Sequence, residues 1–224
     1  MPPTTDARKR WSAILFDFDG TLVDSAPAIL SAYRAALQDC GVTPVVALES
    51  GLVGPTLAET LALLTGSSDE ILLAQLAQAF KTHYDATCAL LTPAFEGIPA
   101  LLKNLLGHGI RLFIATNKRA LPTQQILIHL GWESCFEGVY ALDSFTPAKS
   151  DKSALIQHIL QAHHLPCAST LYVGDRVEDG VAAEANQLPF YFAAWGTPNA
   201  ASGGKALPDH WTRLEQPLAR AFMA

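Results

Sequence analysis

The sequence is poor in charge and contains no long apolar run. Charged residues make up 16% of its 224 residues, and half of the residues are apolar. Such a composition is typical of a compact α/β protein rather than of a disordered chain. No stretch approaches the roughly 18 consecutive apolar residues that span a bilayer, and the polar residues 1–10 lack the apolar centre of a signal peptide. We therefore expect no membrane contact and a cytoplasmic location.

Basic clusters and paired cysteines are also missing. The net charge is −6 and the fifteen Lys and Arg residues form no run, whereas a nucleic-acid-binding protein usually presents a basic stripe. We expect no nucleic-acid partner. The four cysteines are far apart and form no C-x-x-C pair, which fits reduced thiols in a cytoplasm. The seven histidines show no metal-ligand spacing.

The most informative stretch of the chain is Asp17-Phe18-Asp19-Gly20-Thr21-Leu22-Val23-Asp24-Ser25, which follows the apolar run 13–16. A short apolar run of this kind predicts a buried strand. Residues two apart in extended chain point to the same side, so Asp17 and Asp19 would present two carboxylates where the strand ends. Adjacent carboxylates repel and favour a cation, and Mg²⁺ prefers oxygen ligands. Gly20 permits a tight turn there. The alternative is an ordinary Asp-rich turn.

The pattern of helices and strands predicts two parts. Residues 26–91 show helical periodicity and no strand, with helices over 28–40, 56–64 and 69–87. Thr56 and Glu59 form a predicted capping box at the start of the second helix. From residue 92 onward helices and strands alternate. The predicted strands are 110–115, 138–142, 170–173 and 190–194, and the predicted helices are 98–106, 122–130, 153–163, 177–186 and 208–221.

This alternation favours a doubly wound, three-layer α/β core of the Rossmann-like kind, with a parallel sheet. We predict that residues 11–25 and 92–224 form this core and that residues 26–91 form an inserted helical domain. The segment 51–56 is either a turn that faces a substrate or a plain helix connector.

Three further predicted strand ends carry polar residues. Thr116-Asn117-Lys118 follows one strand, Lys149 and Lys152 precede a helix, and Gly174-Asp175-Arg176-Val177-Glu178-Asp179 follows another strand. Each group alone could be a helix cap or a solvated side chain. Together with Asp17 and Asp19 they supply what phosphoryl transfer needs: acids for a metal, a hydroxyl and a cation for the phosphoryl oxygens, and a carboxylate nucleophile.

In these motifs the chain resembles the haloacid dehalogenase-like superfamily of phosphohydrolases, in particular its phosphoglycolate phosphatase-like branch. The resemblance covers about residues 13–194. Residues 17–25, 116–118 and 174–179 match the first, second and fourth motifs, and residues 26–91 match the inserted cap domain. The third motif is a lone Lys, which relatives commonly place in Lys-Pro-x-Pro. Here the prolines are missing; we assign Lys152 and keep Lys149 as the alternative.

The resemblance implies a role for each matched residue. Asp17 would be the nucleophile that forms an aspartyl-phosphate, and Asp19 would be the general acid and then the general base. The carboxylates of Asp17 and Asp175 and the backbone carbonyl of Asp19 would hold Mg²⁺, and Asp179 would bind it through water or support the site. The phosphoryl oxygens would be bound by Thr116, Lys152, Asn117 and backbone N–H groups near Gly20.

The expected partner is a small phosphorylated metabolite, and the expected oligomeric state is a monomer or a homodimer. A sugar-phosphate mutase of the same superfamily is an alternative activity, and a catalytically idle module that only binds a phosphorylated ligand is an alternative of another class. A true dehalogenase would lack Asp19 and would not need Asp175. A phosphonatase would need a cap lysine, for which the insert offers only Lys81.

Overall fold

The computed structural model describes residues 10–49, 52–53, 56–196 and 207–223. Residues 51, 54 and 55 of the expected 51–56 turn lie outside these ranges. The strands are β1 (Ala13–Phe16), β2 (Arg111–Thr116), β3 (Gly138–Ala141), β4 (Thr170–Gly174), β5 (Phe190–Ala193) and β6 (Thr212–Leu214). The helices are α1 (Ala26–Asp39), α2 (Leu57–Thr65), α3 (Glu70–Leu91), α4 (Ile98–Gly107), α5 (Ala120–His129), α6 (Lys152–Ala162), α7 (Val177–Ala185) and α8 (Arg220–Met223). Over the ranges just given, none of the helices combines the length and the apolar character needed to cross a membrane.

All strand pairs are parallel, and the order across the sheet is β3-β2-β1-β4-β5-β6. The strands β1, β4 and β5 are buried along their whole length, as expected for a sheet covered on both faces. Successive strands are added on one side of β1 as far as β3 and on its other side from β4 onward. Such a reversal creates a crevice at the carboxyl end of the central strand, where open α/β sheets bind ligands. The doubly wound parallel fold predicted from the sequence is confirmed.

The chain divides into two compact units. The first comprises Met1–Val23, Ala94–Ala120 and Trp132–Ala224 and contains the sheet. The second comprises Asp24–Pro93 and Leu121–Gly131. The second unit thus contains the segment 26–91 and nearly all of α5.

Helices α1 and α3 form the aromatic centre of the second unit. The ring centroids of Tyr33 and Phe80 lie 4.5 Å apart, and the Phe80 ring stacks on Tyr84 at 5.5 Å. Helix α2 begins with the predicted capping box, since the Thr56 hydroxyl accepts from the Glu59 amide and the Glu59 carboxylate accepts from the Thr56 amide. The second unit therefore contains the helices that the periodicity of its apolar residues predicts.

The C-terminal prediction was wrong. Residues 208–221 form no continuous helix; they form strand β6, which pairs with β5, and the short helix α8. Pro217 explains the break, because proline lacks an N–H group and its ring clashes with the preceding turn of a helix. Trp211, just before β6, is buried and meets Phe190 edge-on with ring centroids 4.9 Å apart. Burial of this ring therefore fixes an extended segment where helical periodicity had been inferred.

The packing of Trp211 on α7 yields a first prediction. A Cβ atom added at Gly180 would overlap the Trp211 ring, whereas one added at Gly107, the last residue of α4, would meet nothing within 4 Å. We expect G180A to lower the free energy of unfolding by about 1–3 kcal/mol, as overpacking does. The matched variant G107A should be neutral or slightly stabilising. Denaturant unfolding measures both variants, and equal stability of the two would contradict the packing of Trp211 on α7.

Candidate active site

Acidic side chains gather at the carboxyl edge of the sheet. Phe16, the last residue of β1, is in register with Ile114 of β2 and Val173 of β4. Asp17 follows β1 directly, and Asp175 follows β4. Because the strands are parallel, these two carboxylates emerge side by side in the crevice at the point where the strand order reverses.

Three carboxylates form one buried group. Oxygen atoms of Asp17, Asp175 and Asp179 all lie within 4.8 Å of one another. The three residues are 5%, 4% and 1% exposed. All of these ligand atoms are carboxylate oxygens, which is the donor type that Mg²⁺ and other hard divalent cations prefer. The group therefore fits a divalent cation.

Two glycines provide the space for these carboxylates. A Cβ atom at Gly20 would overlap the carboxylate of Asp175, and one at Gly174 would overlap the carboxylate of Asp179. Gly20 also has φ +75°, in the left-handed region that side chains disfavour. The Thr21 hydroxyl donates to Asp175 at 3.3 Å. Gly20 is thus required by the turn and by the close approach of Asp175.

The turn after β1 is supported by the residues that follow β5. The indole N–H of Trp195, two residues after β5, donates to the carbonyl of Thr21 at 2.9 Å. A Cβ atom at Gly196 would overlap the carbonyl oxygen of Gly20. The backbone that follows β5 therefore packs directly on the turn that follows Asp17.

Lys152 is the cation of the buried group. It is the first residue of α6, whose N-cap Asp151 accepts from the Ala154 amide at 2.8 Å. The Lys152 ammonium lies 3.0 Å from Asp17 and 2.5 Å from Asp179. The second oxygen of Asp179 accepts from the Arg176 amide at 3.1 Å. Asp179 is thereby fixed by Lys152 on one oxygen and by the start of α7 on the other.

Tyr172 is a further partner of Lys152. This strand residue is fully buried, its hydroxyl donates to the Ala115 carbonyl at 3.0 Å, and the charge of Lys152 acts on it. Burial raises the pKa of Tyr172 well above its usual value, so the phenol is neutral. Tyr172 thus adds no negative charge beside the ammonium.

Burial and mutual repulsion shift the ionisation of the acids. Burial, with a smaller contribution from the charge of Asp179, raises the pKa of Asp17 to about 6, and Lys152 only partly offsets this. Burial and the charges of Asp17 and Asp179 raise the pKa of Asp175 well above its usual range. Burial alone would favour neutral Lys152, but the two facing carboxylates outweigh it and raise the Lys152 pKa. The positive charge of Lys152 is therefore too small to balance the three buried acids.

The residues after β2 form a turn that involves Thr116. The Thr116 hydroxyl oxygen accepts from the Lys118 amide at 3.1 Å, which leaves the hydroxyl hydrogen to donate to another group. Thr116 is buried, whereas Asn117 is exposed. The ammonium of Lys118 reaches the carboxylate of Asp19, at 2.9 Å from one oxygen and 3.2 Å from the other. Asp19 is thus paired with Lys118 and lies outside the group of three carboxylates.

The structure separates the two candidate lysines of the third motif. Lys152 contacts Asp17, whereas the ammonium of Lys149 lies 4.8 Å from the centre of the Phe145 ring. The sequence interpretation gave no role to Lys118 or Tyr172, although both contact site residues. The position of Lys118, two residues after Thr116, could have indicated that it belongs to the site. No sequence signal indicates a site role for Tyr172, because a tyrosine within an apolar strand is ordinary.

The chain belongs to the haloacid dehalogenase-like hydrolases, whose family pattern it matches over residues 14–193. The family resemblance and the enzyme class, a hydrolase, inferred from the motifs are confirmed.

Relatives of known name span most of the chain. A 5′-nucleotidase of Pseudomonas aeruginosa is 30% identical over 192 residues, which cover 85% of this chain and 86% of that protein. A phosphoglycolate phosphatase of Cereibacter sphaeroides is 35% identical, over 79% of this chain and 82% of that protein. The tyrosine-protein kinase PtkA of Mycobacterium tuberculosis is 36% identical over 82% of this chain, which spans 62% of that kinase.

Solved structures share the fold. That of the protein tyrosine kinase A of Mycobacterium tuberculosis has a TM-score of 0.78 at 30% identity, and the alignment covers 96% of this chain and all of that one. A haloacid dehalogenase-like hydrolase of Streptococcus pneumoniae has a TM-score of 0.76 at 25% identity and covers 95% of this chain and 97% of its own. These likenesses extend over nearly the whole chain.

The raised pKa of Asp17 predicts how the metal-free protein responds to pH. In the unfolded chain Asp17 releases its proton near pH 3.8, and in the folded chain near pH 6. Protonated Asp17 therefore stabilises the folded state at low pH, and this stabilisation is lost as the pH rises through about 6. Asn cannot ionise. We therefore expect the free energy of unfolding of D17N at pH 7.5 to exceed that of wild type by up to about 3 kcal/mol. The gain should nearly vanish at pH 4.

Denaturant unfolding in the presence of a chelator measures this difference at both pH values. The exposed residue Asp209 supplies the control D209N, which should match wild type at both. If D17N were less stable than wild type at pH 7.5, the electrostatic account of the buried group would be wrong.

Proposed function

We propose that this protein is a Mg²⁺-dependent phosphomonoester hydrolase that acts on a small phosphorylated metabolite through an aspartyl-phosphate on Asp17. The observation that carries the proposal is the buried group of three carboxylates around Lys152 at the end of β1. Such a group supplies a nucleophile, metal ligands and a phosphoryl-binding cation in one place.

The charge of the group supports a divalent cation. Three ionised carboxylates and one ammonium leave two negative charges, which is the charge that one Mg²⁺ neutralises. Asp17, Asp175 and the backbone carbonyl of Asp19 would hold the ion, and Asp179, with both oxygens already engaged, would support them. Bound Mg²⁺ would supply positive charge that stabilises the phosphoryl oxygens and lets Asp17 stay ionised.

The residues of the chain then account for both steps of hydrolysis. A carboxylate oxygen of Asp17 attacks phosphorus, the ester P–O bond breaks, and Asp19 donates its proton to the departing oxygen. Water then attacks the aspartyl-phosphate, Asp19 takes the proton from that water, and inorganic phosphate leaves with Asp17 restored. Lys152 and the free hydrogen of the Thr116 hydroxyl donate to the phosphoryl oxygens in both steps.

The names of the relatives support a small monoester as substrate. The phosphoglycolate phosphatase and the 5′-nucleotidase both act, by name, on phosphate monoesters of small molecules. We propose a phosphoglycolate-like metabolite, with residues 26–91 serving as the cap that selects it. A panel of small phosphate esters, assayed with the full chain, tests this choice.

The proposed activity is tested by Mg²⁺-dependent turnover of an aryl phosphate. We expect wild type to release phosphate, a chelator to abolish release, and Mg²⁺ but not Ca²⁺ to restore it, because Ca²⁺ takes six to eight ligands in a looser geometry. D17N should lose all turnover, since an amide cannot attack phosphorus, and D209N should keep wild-type turnover. Binding of phosphate without turnover by the wild type would instead indicate an idle module, and a tenth of wild-type activity in D17N would exclude Asp17 as the nucleophile.

The acid–base role of Asp19 makes a separate prediction. We expect D19N to slow hydrolysis of alkyl phosphates by about 10²–10⁴, the usual worth of a positioned acid–base group. The loss should be smaller for aryl phosphates, whose leaving groups need no proton. Comparison of kcat/KM for both classes measures this difference, and an equal loss for both would argue against Asp19 as the acid.

A further inference from the structure

The pair formed by Lys118 and Asp19 is a second ion pair beside the group around Lys152. Both carboxylate oxygens of Asp19 accept from the Lys118 ammonium, at 2.9 Å and 3.2 Å. The Lys118 side chain is only 6% exposed, whereas that of Asp19 is 28% exposed. A lysine so withdrawn from water is held in its place by this pairing, since burial of an unpaired ammonium is costly.

Both partners are held by their own backbone turns. Lys118 is fixed by the hydrogen bond from its amide to the Thr116 hydroxyl at the end of β2. Asp19 lies in the turn closed by hydrogen bonds from Gly20 to Val23 and from Leu22 to Phe18, both 2.9 Å long. The ion pair therefore joins the turns that follow the neighbouring strands β1 and β2. Its geometry depends on the register of these two strands.

We propose that Lys118 is a positioning residue that holds the carboxylate of Asp19 in the orientation needed for acid–base catalysis. This inference rests on the function proposed above, in which Asp19 exchanges a proton with the leaving group and with water. Without Lys118, the negative charge of the buried group would repel Asp19, which lies two residues from Asp17. Two hydrogen bonds from one ammonium fix both the direction and the rotation of the carboxylate.

Lys118 acts on both oxygens of Asp19. Lys118 donates to Oδ1 at 2.9 Å and to Oδ2 at 3.2 Å, so the ammonium holds the whole carboxylate. In the proposed reaction a proton passes from Asp19 to the departing oxygen and is later regained from water, while Lys118 keeps its own protons throughout. The ammonium then stabilises the carboxylate that proton donation leaves behind.

The test compares K118M, which keeps most of the length of the side chain without its charge, with wild type in the full chain. We expect kcat for alkyl phosphates to fall about 10- to 100-fold, as small misplacement of a reacting group does. The loss should be clearly smaller for aryl phosphates, and KM should change little for either. K118R should recover part of the loss, and K103M, at an exposed lysine of α4, should match wild type.

A double-mutant cycle separates a positioning role from other roles. If Lys118 acts through Asp19, K118M should add no further loss in the D19N background. If the losses of kcat in the two single variants instead multiplied in the double variant, the proposal would be overturned. A rise in KM confined to substrates that carry a carboxylate would also overturn it, because Lys118 would then be a substrate ligand. Thermal unfolding of the same four proteins in a chelator provides a readout without activity: non-additive midpoint shifts are expected, and additive shifts would refute the pairing.

The outcome also distinguishes this inference from the proposed function. If wild type hydrolyses no phosphate ester, the proposed function fails. If wild type is active and K118M has the same kcat for alkyl phosphates, only the role of Lys118 is refuted.

Discussion

Repulsion among three buried carboxylates is the constraint on which this site depends. Water would screen Asp17, Asp175 and Asp179 from one another, but the sheet edge excludes water from them. Burial and this repulsion together raise the pKa of Asp17 and of Asp175, and Lys152 offsets only part of the rise. At neutral pH the folded chain therefore carries an unfavourable interaction that an added cation would relieve. The buried acids lower the stability of the folded chain, and the same acids are arranged to bind positive charge.

The rest of the fold makes this arrangement possible. Parallel strands deliver the acids to one edge, and the reversal of strand order at β1 opens the crevice between them. Gly20 and Gly174 remove the Cβ atoms that would occupy the space of the carboxylates. Lys152 and Asp179 are each held at the start of a helix, and the two side chains contact each other. Rigid elements thus hold every charged member of the group.

Much of this could be predicted from the sequence, because periodicity and motif spacing carry it. The apolar run before Asp17 fixed a strand, and the alternation after residue 92 fixed the sheet. The C-terminal segment could not be predicted in this way, since the burial of Trp211 on α7 depends on a distant residue, Gly180. The ion-pair partner of Lys118 also could not be predicted from the sequence pattern. Nothing in the spacing of Lys118 says that its ammonium turns toward Asp19 rather than toward solvent.

The support of the first turn by the backbone after β5 has a consequence for biosynthesis. The two residues joined by the indole hydrogen bond, Thr21 and Trp195, are 174 positions apart in the chain. Asp17 is therefore synthesised long before Trp195 and Gly196, which pack on its turn. Asp175 follows β4, which is also made later than β1. A growing chain thus carries Asp17 without its partners until β4 and β5 have been made, so the buried group assembles only after that point.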